Sequence, residues 1–300
     1  MMRLLTFLLA LFFSFFASAF TQEVNVDVIT AKKHLNFPVG VGSKVRLTFS
    51  TDQKTKEAIF LGRLVNQENE TEEYLFLDEV KTRIVMIDSE NIVGLRKSRT
   101  EAIVRPINQQ GSTCAAYGFF HFWNQMHASG FNKSENLTQM MSSDRTRLQF
   151  LEEAIDIYYL QNRNNITNIM KLFGKRFGFS CKSHHFTSSK DVSEFLFIKS
   201  AEGRPLLIDF NIGSDMVSST YEIKDYENPT SIDPRLWIPR QVGQRTASGH
   251  VIVAAGSFIS RGKKKLLILD SNWSEPRVWD LEKYVARKAA YKEMGVHTCQ

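Results

Sequence analysis

Cys114 stands where a polar loop meets a strongly apolar segment of helical composition. The loop, QQGST, covers residues 109–113, and AAYGFFHFWNQM follows over residues 115–126. A cysteine that serves as a small hydrophobe is expected inside such a run. Cys114 instead precedes it, where the free amides of a helix N-terminus stabilise a thiolate. We expect Ser112 or Thr113 to cap this helix, and the position predicts a nucleophilic thiol.

A nucleophilic cysteine needs a base, and the base needs an orienting group. His250 begins a strand-like segment, and the next one, LLILD, ends at Asp270, with the turn SRGK between them. An antiparallel hairpin would place His250 opposite residues 270–273, at a Cα separation of ~5.5 Å. Asp270 and Asn272 can then both reach the imidazole. We favour Asp270, because it closes the strand and its charge stabilises an imidazolium more strongly than an amide does.

The negative charge that develops on an attacked carbonyl needs hydrogen-bond donors. The Cys114 backbone N–H is one, and the carboxamides of Asn108 and Gln109 lie just upstream. A second candidate site, Cys181 with His184 and His185, lacks a companion cluster at zinc spacing, so a strand with surface histidines is expected there. Neither a metal nor another cofactor is predicted.

Three segments together resemble the papain-like cysteine peptidase superfamily. They are QQGSTC at a helix start, GHVIVAAG on a strand and LLILDSNW on the next, and the resemblance covers about residues 101–300. It implies an α+β fold, in which an N-terminal helix carrying Cys114 packs on an antiparallel sheet carrying His250 and Asp270. The layout is closest to the bacterial leader-peptidase-like branch, whose third residue is aspartate.

The oxyanion donor departs from the usual pattern of this superfamily. Asn108 holds the place six residues before the cysteine where papain-like enzymes usually have glutamine. Gln109 lies five residues before it, the spacing of an asparagine in the ubiquitin-specific branch. The resemblance therefore implies Gln109 as the donor, with Asn108 as the alternative.

Three functions are compatible with these residues. The first is hydrolysis of peptide or isopeptide bonds through a Cys114–His250–Asp270 triad, and we favour it. The second is transglutaminase-like acyl transfer to an amine, which shares the order Cys, His, Asp. The third is a binding module that has kept the fold without turnover. The partner is a protein or peptide in each case.

The residues before 101 show a different sequence pattern. Four strand-like runs separated by polar turns occupy residues 44–51, 57–65, 73–80 and 82–95. They predict a small all-β unit over residues 20–100, similar to an Sm-like or SH3-like barrel, joined by a linker at residues 97–99 to a catalytic unit over 101–300. The small unit is either an inhibitory prodomain or an accessory domain, and a chain that begins at Thr100 is expected to fold.

Beyond residue 100, the sequence predicts helices first and strands later. The predicted helices are 115–127, 147–161, 166–177 and a closing amphipathic helix over 280–294; the strands are 205–210, 250–258 and 265–271.

The first residues carry an export signal. Arg3 precedes an apolar run over residues 4–16, and Ala17-Ser18-Ala19 fits a cleavage site, so residues 1–19 are expected to be removed as a signal peptide. The protein is then secreted or periplasmic, with no stable membrane insertion. If Cys114 stays free there, Cys181 and Cys299 are left over and can form a disulfide.

The net charge points away from one partner class. The chain carries a formal charge of +6, spread along its length, and its densest basic cluster, residues 261–265, contains no aromatic residue. Nucleic acid is therefore not expected as a partner.

Overall fold

The computed structural model shows a mixed α+β protein. It describes residues 24–28, 40–49, 54–67, 71–93, 102–131, 134–160, 166–212, 217–218, 221–225, 235–240, 248–285, 292 and 294–300. The predicted signal peptide and the predicted linker at residues 97–99 lie outside these ranges. None of the helices in these ranges has the length and hydropathy needed to cross a membrane.

The described strands, in chain order, are β1 (Val24–Val28), β2 (Lys44–Phe49), β3 (Thr55–Val65), β4 (Glu72–Asp78), β5 (Arg83–Asp88), β6 (Ile92–Val93), β7 (Ala102–Val104), β8 (Cys181–His184), β9 (Leu206–Ile212), β10 (Val217–Ser218), β11 (Glu222–Asp225), β12 (Arg235–Leu236), β13 (Ser248–Ser260), β14 (Lys263–Asp270), β15 (Arg277–Asp280) and β16 (Met294–Cys299). The helices are α1 (Cys114–Ala128), α2 (Glu135–Met140), α3 (Asp144–Leu160), α4 (Ile166–Phe177), α5 (Ser189–Ala201) and α6 (Leu281–Tyr284).

The N-terminal strands form one sheet, in the order β11-β5-β4-β3-β2-β1-β6. The long strand β3 also pairs with β7 in parallel. The four predicted strand-like runs are confirmed as β2, β3, β4 and the pair β5 and β6. Strands β7 and β11, which follow residue 100, extend this sheet. The observed order runs as an open path through the described residues, so closure into a barrel stays a prediction.

The second sheet is antiparallel throughout, in the order β15-β14-β13-β9-β16-β8. Its central hairpin, β13–β14, turns at Arg261–Gly262 and pairs Ile252 with Asp270. That register places residue 250 next to the end of β14, as the sequence predicts.

Helices cover both faces of this second sheet. Successive residues of a strand point to opposite faces. Val251 and Val253 accordingly join the core that contains α1, whereas Ile252 and Ala254 pack in a separate core with α5. The sheet is therefore buried on both sides along β13, which explains its nearly unbroken apolar sequence.

The predicted closing helix is wrong at both of its ends, since Asp280 belongs to β15 and Met294 to β16, and residues 286–291 and 293 lie outside the described residues. Helix α6 covers only Leu281–Tyr284, and Met294 already belongs to β16. The sequence shows a helical apolar period here, but pairing of the last residues between β9 and β8 decides their conformation. Helices α2 and α5 were not predicted, because α2 is only six residues long and the apolar residues of α5 do not follow a helical period.

A disulfide joins Cys181 to Cys299, as predicted from the cysteine count. The two residues face each other in the β8–β16 ladder, with their Cα atoms 4.1 Å apart. The bond fixes the C-terminal strand to the start of β8 and leaves Cys114 as the free cysteine.

Candidate active site

Cys114 is the first residue of α1. The helix is buried along almost its whole length, so its start is held rigidly against the second sheet. The helix comes close to the sheet at Gly118, one turn after Cys114, where an added Cβ would lie 2.5 Å from Val251 Cγ1. A glycine at this point lets the cysteine-bearing helix approach the histidine-bearing strand.

The predicted cap is only partly correct. Thr113 occupies the N-cap position, but its side chain accepts no hydrogen bond from the helix. Its hydroxyl instead donates to the Gln110 carbonyl at 2.6 Å, and the Tyr158 hydroxyl donates to the Ser112 carbonyl at 2.9 Å. These bonds shape the loop and leave the amides of the first helical turn directed out of the helix.

His250 and Asp270 form a buried pair at the adjoining ends of β13 and β14. The His250 Nε2 donates to Asp270 Oδ1 at 2.9 Å, and the Asp270 side chain is almost fully enclosed. The Phe210 ring and the imidazole pack in a T-shaped pair, with centroids 5.6 Å apart. The pair is therefore held out of water by the apolar strands around it.

The environment favours the charged imidazolium. Burial alone would lower the pKa of His250, but the Asp270 carboxylate, its hydrogen bond and the Cys114 sulfur together outweigh burial. They raise the pKa of His250 from 6.5 to about 10. The charged ring is thus the stable form at neutral pH.

The Cys114 sulfur lies beside this pair. The thiol faces the Gly249 carbonyl, with the sulfur 3.8 Å from the oxygen, and Cys114 and His250 line the same cavity. Since Nε2 is engaged by Asp270, Nδ1 is the ring nitrogen left for the sulfur. The structure thus brings Cys114 to the same end of β13 as the bonded pair His250 and Asp270.

Asn272, the alternative orienting residue, is also close to the imidazole. Its Nδ2 lies 3.3 Å from His250 Nε2, farther than the Asp270 oxygen. Its backbone N–H donates to Asp270 Oδ1 at 2.9 Å. The geometry therefore has Asn272 supporting the carboxylate and Asp270 contacting the ring.

The two predicted oxyanion donors differ in position. Gln109 lines the cavity at the cysteine, whereas Asn108 is exposed and does not. The Ser271 hydroxyl donates to Gln109 Oε1 at 2.6 Å, and Gln109 Nε2 donates to the Gly111 carbonyl at 2.8 Å. One N–H of the Gln109 carboxamide remains for a ligand. Sequence reasoning missed Ser271, although its place beside Asp270 was a usable signal.

A second histidine lies behind the site and was also missed. His121, two turns along α1 from Cys114, is buried, and the Ile107 N–H donates to its Nε2 at 2.9 Å. Burial lowers the pKa of His121 to about 4, although the Asp270 charge acts in the opposite direction. His121 is therefore neutral, with its proton on Nδ1, and it adds no positive charge beside Asp270.

The cysteine and the histidine open into one cavity of about 770 Å³. This volume is within the range of small-ligand and peptide sites. Its walls come from the loop over residues 109–113, from α3 and α4, and from β9 and β13.

Elsewhere, the described part of the chain contains no group of three or more residues suited to holding a metal ion. His184 in the Cys181 segment donates to or accepts from Thr298 at 2.8 Å, and Cys181 is in the disulfide. In comparisons with known proteins, neither a family model nor a curated protein matches this chain.

Proposed function

We propose that this protein is an exported cysteine peptidase with a papain-like fold, which hydrolyses peptide or isopeptide bonds. One observation carries the proposal: a thiol at a helix N-terminus shares a cavity wall with a histidine that a buried carboxylate holds. The same three residues at unrelated structural positions would have no such meaning. The disulfide supports export, because disulfides persist in oxidising compartments.

The proposed reaction has two stages. The Cys114 thiolate attacks the substrate carbonyl carbon, and the oxyanion accepts hydrogen bonds from the Cys114 backbone N–H and the Gln109 carboxamide. The His250 imidazolium gives its proton to the leaving nitrogen, so the C–N bond breaks and a thioester forms. Neutral His250 then takes a proton from water, the hydroxide attacks the thioester, and the acid leaves as the thiolate returns.

Asp270 serves this reaction without contacting substrate. It keeps the proton of the neutral ring on Nε2, so Nδ1 always faces the sulfur, and its charge stabilises the imidazolium. Gln109 and Asp270 are linked through Ser271, which follows Asp270 and binds the glutamine side chain.

This proposal can be tested by mass spectrometry. The mature protein and a Cys114→Ala variant are each incubated with a diverse peptide mixture, and the products are compared. We expect new peptide termini with wild type and none with Cys114→Ala. Iodoacetamide treatment of wild type should abolish the new termini as well. A primary amine added to the mixture separates hydrolysis from acyl transfer, since incorporated amine would identify a transferase. A folded wild type that neither cleaves nor transfers would support the binding-module alternative.

A further inference from the structure

Asp209 is a charged residue in the middle of an apolar strand. It belongs to β9, LLIDFNI, whose neighbours on both sides, β13 and β16, are also strands of the sheet interior. Burying a carboxylate in such a place is unfavourable unless the charge is satisfied. Asp209 nevertheless keeps about 30% of its side chain exposed, and it does so in the wall of the cavity at Cys114.

A buried network holds this carboxylate in place. The His297 Nε2 donates to Asp209 Oδ1, and the Ser183 hydroxyl lies 2.9 Å from the other ring nitrogen, Nδ1. His297 thereby orients Asp209 through Oδ1, and the contacts of the described residues leave Oδ2 for a ligand.

The backbone makes room for the carboxylate as well. Gly295 faces Asp209 across the β9–β16 ladder, and a Cβ at that position would collide with Asp209 Oδ1. On the other side, Asp209 pairs with Val251, the residue after His250. Paired residues share a face of the sheet, so Asp209 lies on the face that α1 covers at Gly118.

The same contacts give an approximate distance between Asp209 and Cys114. One helical turn from Cys114 to Gly118, a side-chain contact and one cross-strand step give on the order of 10 Å. That is the reach of a long side chain on a residue beside the scissile bond. Among the described residues that line the cavity, Asp209 and His250 are the ionisable groups besides Cys114 and Tyr158.

We propose that Asp209 forms a subsite for a basic side chain, so that the substrate carries a lysine or an arginine beside the bond that Cys114 attacks. This inference rests on the proposed function in so far as it calls the ligand a substrate. The subsite itself does not depend on turnover. The carboxylate, presented by His297 and Gly295, is the recognition element.

Two methanethiosulfonate reagents of similar size test the subsite on Cys114 directly. One carries a trimethylammonium group and the other a sulfonate, and the ratio of their rates is measured in the mature protein. Asp209→Asn should lower the cation-to-anion ratio by about tenfold, because one charge near the sulfur is removed. Asp156→Asn, at an exposed position of α3, removes the same charge elsewhere and should leave the ratio unchanged.

A second variant guards against misfolding of the first. Gly295→Ala keeps every charge but displaces the carboxylate, and it should lower the ratio as well. Cleavage rates are also compared for two peptides that carry lysine or norleucine at the same position. Wild type should prefer lysine, and Asp209→Asn should lose this preference. An unchanged reagent ratio in folded Asp209→Asn overturns the subsite, even if peptides are cleaved. A lowered reagent ratio in Asp209→Asn, without peptide cleavage by wild type, would support the subsite and contradict the proposed peptidase activity.

Discussion

At the scale of single residues, the account depends on which group holds His250. Asp270 contacts Nε2 at 2.9 Å and carries the charge that an imidazolium needs, whereas Asn272 binds mainly to Asp270. We expect Asp270→Ala to lower turnover by roughly 10²–10⁴-fold. Asn272→Ala should cost less than about tenfold, since the ring keeps its carboxylate. Steady-state kinetics on both folded variants checks this, and the reverse ranking would assign the role to Asn272.

The raised pKa of His250 has a consequence for stability. Because the folded value is about 10 and the ordinary value 6.5, the folded protein holds the proton more tightly than the unfolded chain. The resulting stabilisation is fully present below about pH 6.5 and is lost as the pH rises through about 10. The loss in this window is at most about 1.4 kcal/mol per pH unit.

Urea unfolding at pH 7, 8.5 and 10 measures this linkage. We expect the free energy of unfolding to fall more steeply in wild type than in His250→Gln, which lacks the titrating ring. His185→Gln is the matched control, because His185 lies outside the cavity. Parallel curves for wild type and His250→Gln would show that the pair does not bind its proton as the geometry requires.

The candidate site could be predicted largely from residue types and spacing. Cys114 at a helix start and His250 opposite the end of LLILD follow from local patterns, and the structure brings them together. The parts that were missed, Ser271, His121 and the His297–Asp209 pair, depend on contacts between distant segments. No local period marks a histidine that supports a carboxylate from another strand.

At the scale of elements, the distance between α1 and β13 decides whether the thiol meets the imidazole. Gly118 sets that distance, so Gly118→Ala should push the helix away from Val251. We expect a cost of about 1–3 kcal/mol in stability and slower alkylation of Cys114. The double variant Gly118→Ala with Val251→Ala should recover part of both losses. Equal stability of Gly118→Ala and wild type would contradict the close approach.

The disulfide is the second element-level device. It closes a loop across a sequence separation of 118 residues and fixes β16 to β8. The double variant Cys181→Ser with Cys299→Ser should lose about 2–5 kcal/mol of stability, measured by denaturant unfolding. Cys114 alkylation in the folded fraction should be unchanged, because neither disulfide cysteine lines the cavity at Cys114. A variant as stable as wild type would remove this role.

The strands and helices followed from the sequence to different degrees. Strands with strong apolar patterns, such as β3 and β13, and helix α1 were predicted within a few residues. The C-terminal strand was not, because MGVHTC has little strand character by itself and gains it from β9, β8 and the disulfide.

At the scale of the whole molecule, the two sheets share one core. Leu61 and Leu75 of the first sheet pack in the same cluster as Phe119 of α1 and Leu267 of the second sheet. Strands β7 and β11 also pair with β3 and β5. This changes the expectation for a chain that begins at Thr100.

We now expect that shortened chain to lose its cooperative unfolding transition, because β7 and β11 lose their partners and the shared core is exposed. Size-exclusion chromatography and near-UV circular dichroism measure this. A monomeric chain with a sharp thermal transition would show instead that residues 101–300 fold alone, and activity gained by it would identify residues 20–100 as an inhibitor.

The central claim is that His250 activates Cys114, and the rate of iodoacetamide labelling at neutral pH tests it most directly. Cys114 is the free thiol of the oxidised protein, so peptide mass spectrometry follows one site. We predict rapid labelling of wild type and of His185→Ala, and labelling at least about tenfold slower in His250→Ala, where the thiolate loses its cation. Equal rates in wild type and folded His250→Ala would contradict the account.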